Sequence, residues 1–362
     1  MRGLYIHIPF CAHICSYCDF VKRIPFKDDE VKSYLKALVK ELNGYKDLYN
    51  TFDTIYIGGG TPNYLSDEDL GYLLSEIAKC HILAKEYTIE CNPELLTKTQ
   101  AKLFKKYHIN RVSLGLQTTS LKGLKLLNRH HTKEDAINAI TILKDEGLTN
   151  INVDLIYGYF DETLEDVKDD IDFILSEDLT HVSAYSLILE DKTLLNLKHK
   201  ESELDEDLIA DMYLYINQKL EEAGFKHYEI SNYAKEGFKS VHNLKYWSKD
   251  EYVGIGLGAT SYLKHKRLTN TGHLYQYLNE KNDKEIEDLS LLDEKKEFII
   301  LGLRKVSGIL KNDYLARFNT KIEDDFNYQK LIKYNLLYEN DKVLKLTDRG
   351  LLLGNVVFEE FL

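Results

Sequence analysis

From residue 4 to about residue 190, short runs rich in β-branched and aromatic residues alternate with longer stretches of helical spacing. That rhythm reads as the strands and crossover helices of a parallel α/β sheet. It predicts strands over Leu4–Ile8, Phe52–Ile57, Glu86–Cys91, Arg111–Leu116, Asn150–Ile156 and His181–Leu187. Several intervening stretches open with capping-box spacings: Ser66 with Asp69, Thr97 with Gln100, Thr132 with Asp135 and Thr163 with Asp166. Gly147 and Gly224 fall where helices should stop. Six strands joined by five crossovers suit an open doubly wound sheet or a partial barrel. In both, ligands gather beyond the carboxyl ends of the strands.

The unusual residues fall at those ends. The first strand runs into P-F-C-A-H-I-C-S-Y-C-D-F, which places Cys11, Cys15 and Cys18, three of the chain's five cysteines, within eight residues. Iron–sulfur clusters normally take four cysteines. Three thiolates on one loop therefore match a four-iron cluster with one iron left open to an outside ligand. Zinc held by the same cysteines with His7 or His13 is an alternative donor set, although zinc sites usually pair their ligands across two knuckles. A disulfide is a further alternative, against which the start M-R-G-L-Y-I-H-I lacks the charged and apolar regions of a signal peptide.

The second strand ends in Gly58-Gly59-Gly60-Thr61-Pro62, bare backbone that either admits a ligand closely or makes a tight turn. Glu90, Gln117 and Asp154 lie at or near the ends of strands three to five, with Arg129 in the loop after the fourth. Arginine there suits a planar, bidentate contact. His130 and His131, which follow it, read as solvated loop residues.

Beyond Leu189 the rhythm changes. Residues 190–208 are charged and lack strand character; a helix over Asp207–Ala223 and a strand over Lys226–Ile230 follow. H-N-L-K-Y-W at 242–247 precedes a second glycine-rich run, Gly254-Ile255-Gly256-Leu257-Gly258-Ala259-Thr260-Ser261, which implies close backbone packing. Helices are predicted over Leu291–Leu303, Lys311–Phe318 and Asp324–Tyr334, then a hairpin turning at 339–342 and a last helix after Thr347, an order like that of a winged helix. With a formal charge of −12 and no basic recognition face, a packing or lid role is expected of it, not nucleic-acid binding. The expected units are a core over 1–235, a connecting segment over 236–290 and a winged-helix-like, mainly helical unit over 291–362. No run of about 18 apolar residues occurs, so no membrane span is expected, peripheral contact stays open, and the cytoplasm is the expected compartment.

The C-x3-C-x2-C spacing resembles that of radical S-adenosylmethionine (SAM) proteins. Together with I-G-G-G-T-P, G-L-Q, N-R-x-H, D-L-I-Y-G, H-N-x-x-Y-W and G-x-G-x-G-A-x-S, it makes nearly the whole chain similar to the oxygen-independent coproporphyrinogen III oxidase-like branch of that superfamily. The resemblance implies a partial (β/α) barrel carrying a [4Fe-4S] cluster on Cys11, Cys15 and Cys18. SAM on the open iron would be cleaved by one electron to a 5'-deoxyadenosyl radical. Tyr5, Gly59, Glu90 and Ser186 stand at positions lining that SAM; Tyr17, Gly60, Thr61, Gln117, Arg129 and Asp154 at positions for a second. Thr260 is a further, more loosely spaced SAM position. Asp19-Phe20 replaces a further cysteine of the oxidase, and no N-terminal extension precedes the first strand. Both features, and H-N-L-K-Y-W, resemble the branch's haem-chaperone members. That implies haem as ligand with His242 as its axial candidate, haem-accepting apo-proteins and an electron donor as partners. The alternative is oxidative decarboxylation of coproporphyrinogen III to protoporphyrinogen.

Overall fold

The computed structural model describes residues 1–279 and 284–362. Its centre is six parallel strands, neighbours in chain order: β1 (Arg2–Ile8), β2 (Phe52–Gly59), β3 (Glu86–Cys91), β4 (Arg111–Gln117), β5 (Ile151–Tyr157) and β6 (His181–Ser186). The crossovers carry helices α1 (Asp28–Asn43), α2 (Asp67–Ala78), α3 (Lys98–Lys106), α4 (Leu121–Leu126), α5 (Lys133–Asp145) and α6 (Leu164–Ser176), and α7 (Glu206–Glu222) follows β6. Thr97, Thr132 and Thr163 each close a reciprocal capping box, while Ser66 accepts the Asp69 amide. Gly147 and Gly224 adopt φ +80° and +86° just past the helices they end.

Strand alternation sorts the residues of this sheet by face. Leu4, Ile6, Ile8, Ile55, Ile57, Ile89, Val112, Leu114, Val153 and Leu155 are buried in one core with the helices. The opposite set is polar. Paired residues share a face, so Tyr5, Tyr56, Thr88 and Arg111 form one row, Glu90, Ser113, Asn152 and His181 a second, and Gly115, Asp154, Ser183 and Asn232 a third. The sheet curls round this polar face as a partial barrel.

At one edge β6 pairs with β8 (Asn232–Ala234), which pairs with β7 (Lys226–Glu229). At the other edge β9 (Tyr252–Ile255) lies parallel to β1, followed by antiparallel β10 (Thr260–Leu263), β11 (Lys266–Thr269) and β12 (Glu285–Asp288). Residues 236–290, expected to connect, thus extend the sheet to twelve strands. The glycines that obscure β9 in the sequence are what let it form: a Cβ at Gly254 would collide with the Thr260 carbonyl. The same segment holds two short helices, α8 (Val241–Trp247) and α9 (Leu274–Leu278).

The last unit has a core of its own, including Ile299, Leu303, Tyr314, Leu331, Leu344 and Phe361. It comprises α10 (Leu291–Leu303), α11 (Lys311–Phe318), α12 (Ile322–Asp325), α13 (Gln329–Lys333), α14 (Asp348–Leu352) and α15 (Gly354–Glu359) round a small sheet ordered β13 (Ile309–Leu310), β15 (Val343–Leu346), β14 (Leu337–Glu339). The single helix expected over Asp324–Tyr334 is two. Phe326 is extended (φ −133°), and Phe326 and Tyr328 pack their rings toward Phe361 instead of continuing the helix. This unit joins the rest through α8 and through the buried Lys249, which meets Glu297 at 2.5 Å and Glu294 at 3.5 Å.

Candidate functional site

The cysteine loop leaves the carboxyl end of β1 and is tied down along its length. The Cys11 amide donates to Arg23 O (3.0 Å) and the Arg23 amide to Pro9 O (2.7 Å), closing its base. The Ser16 amide and hydroxyl donate to Leu127 O (3.1 Å) and Leu126 O (2.7 Å), and the Asn128 side chain to Ile14 O (2.6 Å). Cys11 is buried; Cys15 and Cys18 are half-buried. Burial pushes the Cys11 thiol up to about 11, against the nearby Thr61 hydroxyl, and Cys15 and Cys18 push it further. The three sulfurs therefore share one electrostatic neighbourhood. Among the described residues no three His, Cys, Asp or Glu side chains crowd one point as a single metal ion requires. A cubane needs wider spacing, since each thiolate takes its own iron. Of the histidines weighed for zinc, His7 has both ring nitrogens engaged, and His13 stacks on His130 with centroids 3.9 Å apart.

The glycine run lies beside this loop. The Gly60 amide donates to Ile8 O (2.8 Å), and a Cβ there would stand 2.9 Å from Cys11 Sγ and from Ile8 O. Gly59 has φ +113°, where a Cβ would also enter the His7 ring. Its amide donates to Glu90 Oε2 at 3.0 Å, while the Tyr56 hydroxyl donates to Glu90 Oε1 at 2.7 Å. Burial raises the Glu90 carboxyl to about 7 despite both donors. Below the glycines, His7 Nε2 bonds Val21 O (2.7 Å), which makes Nε2 the donor and leaves Nδ1 to accept the Tyr5 hydroxyl at 2.9 Å.

Arg129 is 8% exposed, with Nη2 donating to Gly115 O (2.7 Å) and Asn92 Oδ1 (3.1 Å) and Nη1 lying 3.6 Å from Cys15 Sγ. Tyr17 is its electrostatic neighbour beside Cys15. Gln117 is buried at φ +65°, a strained conformation for a strand-end residue without glycine's freedom. Asp154 takes the Asn152 amide (2.8 Å) and the Ser113 hydroxyl (3.2 Å), and burial raises its carboxyl. Ser186 ends β6 opposite Tyr157. Thr61 stands next to Cys11. Gly59, Gly60, Thr61, Glu90, Gln117 and Ser186 thus lie at or next to the carboxyl ends of their strands, with Tyr17 and Arg129 beside the cysteine loop, while Tyr5 and Asp154 sit mid-strand on the same polar face. Thr260 opens β10, two strands out from β1, and its hydroxyl pairs with Thr269 at 2.9 Å.

His242 is elsewhere. Helix α8 crosses the amino-terminal ends of the strands, opposite the cysteines: Glu86, the first residue of β3, accepts its Val241 and His242 amides at 2.7 and 2.9 Å, and Lys245 reaches Asp53 and Met1 O. His242 is 1% exposed, Nδ1 bonded to Thr54 (2.8 Å) and Nε2 to Tyr246 (2.9 Å), with burial pushing its pKa down to about 3. Both ring nitrogens of the expected axial ligand are thus engaged by hydroxyl groups, away from the cysteine rim. Tyr56 and Arg111 share the polar face with these residues and were not among the expected positions. Their signal was alternation: D-T-I-Y-I-G and R-V-S-L-G put Tyr56 and Arg111 on the same face as the site residues.

Comparison with known proteins decides the family. A model of the radical SAM superfamily matches residues 5–174 and one of the HemN C-terminal domain residues 289–353. The chain is 41% identical to the heme chaperone HemW of Lactococcus lactis, over all of this chain and 97% of that protein. The chain belongs to the HemW family of radical SAM proteins. The Bacillus subtilis HemW is 35% identical over 100% of this chain and 99% of its own. The HemN coproporphyrinogen III oxidase of Escherichia coli, at 20% identity and a TM-score of 0.87 over 99% of this chain and 89% of that one, shares the fold. The radical SAM domain implies a [4Fe-4S] cluster and SAM, and the rim described above fits both. Three thiols lie on one loop within electrostatic reach of one another, Gly60, whose Cβ would crowd Cys11 Sγ, lies beside them, and the buried Glu90 carboxyl is held by the Gly59 amide.

Proposed function

We propose that this HemW-family chain is a cluster-bearing haem chaperone, which binds haem and delivers it to apo-proteins. The observation that supports it is relatedness along the entire chain, at 32–41% identity, to proteins named heme chaperones. Cys11, Cys15 and Cys18 would hold the cluster. SAM bound beside that cluster would supply one-electron radical chemistry. Glu90 would accept the methionine ammonium, with Tyr56 and the Gly59 amide fixing its orientation. Gly59 and Gly60 let backbone approach the ligand, and Asp154 and Gln117 offer acceptors for hydroxyl groups. Tyr5, held by His7, walls the pocket. Haem contacts are not assigned to His242.

The test is haem titration of the anaerobically reconstituted protein beside an assay with coproporphyrinogen III, SAM and a reductant. Stoichiometric haem binding with transfer to an apo-haemoprotein and no protoporphyrinogen is expected. Formation of protoporphyrinogen at catalytic turnover would replace this reading with the oxidase.

A further inference from the structure

We propose that Arg129 is a positioning residue for the cluster, setting how readily the cluster accepts an electron, an inference that rests on the cluster proposed above. Its guanidinium is built into the cysteine loop's surroundings. Asn128, in the left-handed conformation at φ +54°, ties the preceding turn to Ile14 O, and the Arg129 amide donates to Leu124 O at 2.8 Å. Nη2 is fixed by Gly115 O and Asn92 Oδ1. Asn92 is itself locked, its amide donating to Asn63 Oδ1 (2.9 Å) and its carbonyl accepting Asn63 Nδ2 (3.0 Å). Gly115 completes the seat, since a Cβ would stand 3.3 Å from Nη2. Of the remaining donors, Nη1 lies 3.6 Å from Cys15 Sγ and Nε has no partner.

A fixed positive charge with an N–H on a ligating thiolate favours the cluster state with one more electron. Charge, hydrogen bonds to sulfur and solvent exposure are the protein's means of tuning such potentials. Of the other cations at the loop, Arg23 is paired with Glu30 and Lys22 lies beside the Cys18 and Phe20 carbonyls, half exposed, where water screens it. The step is a one-electron transfer from an external low-potential donor into the cluster, with no bond formed or broken. The resemblance to the oxidase assigns Arg129 to a second SAM instead, for which Nε alone is left without a partner, since Nη2 is shared between two acceptors and Nη1 faces the thiol.

The experiment is a dithionite redox titration of the full-length, anaerobically reconstituted protein without SAM, followed by EPR of the reduced cluster. Wild type is compared with Arg129→Gln, Arg129→Lys, Asn92→Ala and, as a charge control, the exposed Lys125→Gln. At fixed ambient potential the reduced-to-oxidised ratio should fall about tenfold in Arg129→Gln, about 59 mV for one electron. Arg129→Lys, which keeps charge without the planar fork, should fall between. Lys125→Gln should stay within about twofold, since an exposed charge is screened. An unchanged midpoint in Arg129→Gln, or one matching the control, overturns the proposal. If Arg129→Gln does not assemble a cluster, unchanged midpoints in Arg129→Lys and Asn92→Ala do so. Wild type that assembles no cluster would instead overturn the proposed function.

Discussion

The two ends of the barrel carry the two motifs that stand out in the chain, and they are built differently. At the cysteine end, Gly59 and Gln117 hold positive φ, Glu90 is buried with its carboxyl pushed up, and Arg129 Nε and His13 Nε2 are buried without partners. At the opposite end, His242 has both nitrogens engaged, Ser240 caps α8, and both Glu86 oxygens accept amides of its first turn. Strain and unmet polar groups are costly, so they persist where a ligand or chemistry requires them. Around His242 the groups satisfy one another and plug that end of the barrel, although Trp247 Nε1 in the same motif is buried without a partner.

Four substitutions would break or sharpen this contrast. Gly59→Ala strikes the strained end. A Cβ would enter the His7 ring and the φ disfavours alanine, so a loss of roughly 3–4 kcal/mol is expected in chemical denaturation. SAM affinity, by equilibrium dialysis on the reconstituted protein, should fall at least about tenfold with it, since 1.4 kcal/mol corresponds to that factor. His242→Ala strikes the plug and should cost about 2–4 kcal/mol, because it leaves Thr54 and Tyr246 partnerless in a cavity. Haem affinity in the same protein should stay near wild type. An intact melting temperature with haem affinity lost would return haem to this end of the barrel.

Glu90→Gln tests the rim by pH. The Glu90 pKa is raised in the folded state from 4.5 to about 7, so the native protein binds the extra proton between those values and wild-type stability falls as pH rises through that window. The glutamine variant escapes this loss and should be more stable at pH 8, by on the order of 2 kcal/mol. Wild-type SAM affinity should weaken as pH falls through about 7, while that of the variant stays flat. A wild-type affinity independent of pH there would remove Glu90 from ammonium recognition. Ser240→Ala is the mildest change: loss of the α8 cap should cost about 1 kcal/mol in thermal unfolding, with iron content unchanged.

Much of this was readable in one dimension. The six parallel strands fall within a residue or two of where their runs placed them, three capping boxes close as spaced, and the cysteines, the glycine run and Glu90 meet on one rim. These features depend on neighbours a few residues away: alternation, a cap three positions on, a glycine at a turn. What could not be read needed partners far off in the chain. The pairing of β9 with β1 joins residues about 250 apart, Phe326 interrupts a helix to reach Phe361, and the fate of His242 turns on Thr54. Residue type told what each side chain can bond; only the folded arrangement determined which bonds were already made, because a buried polar group takes whichever partner packing brings to it.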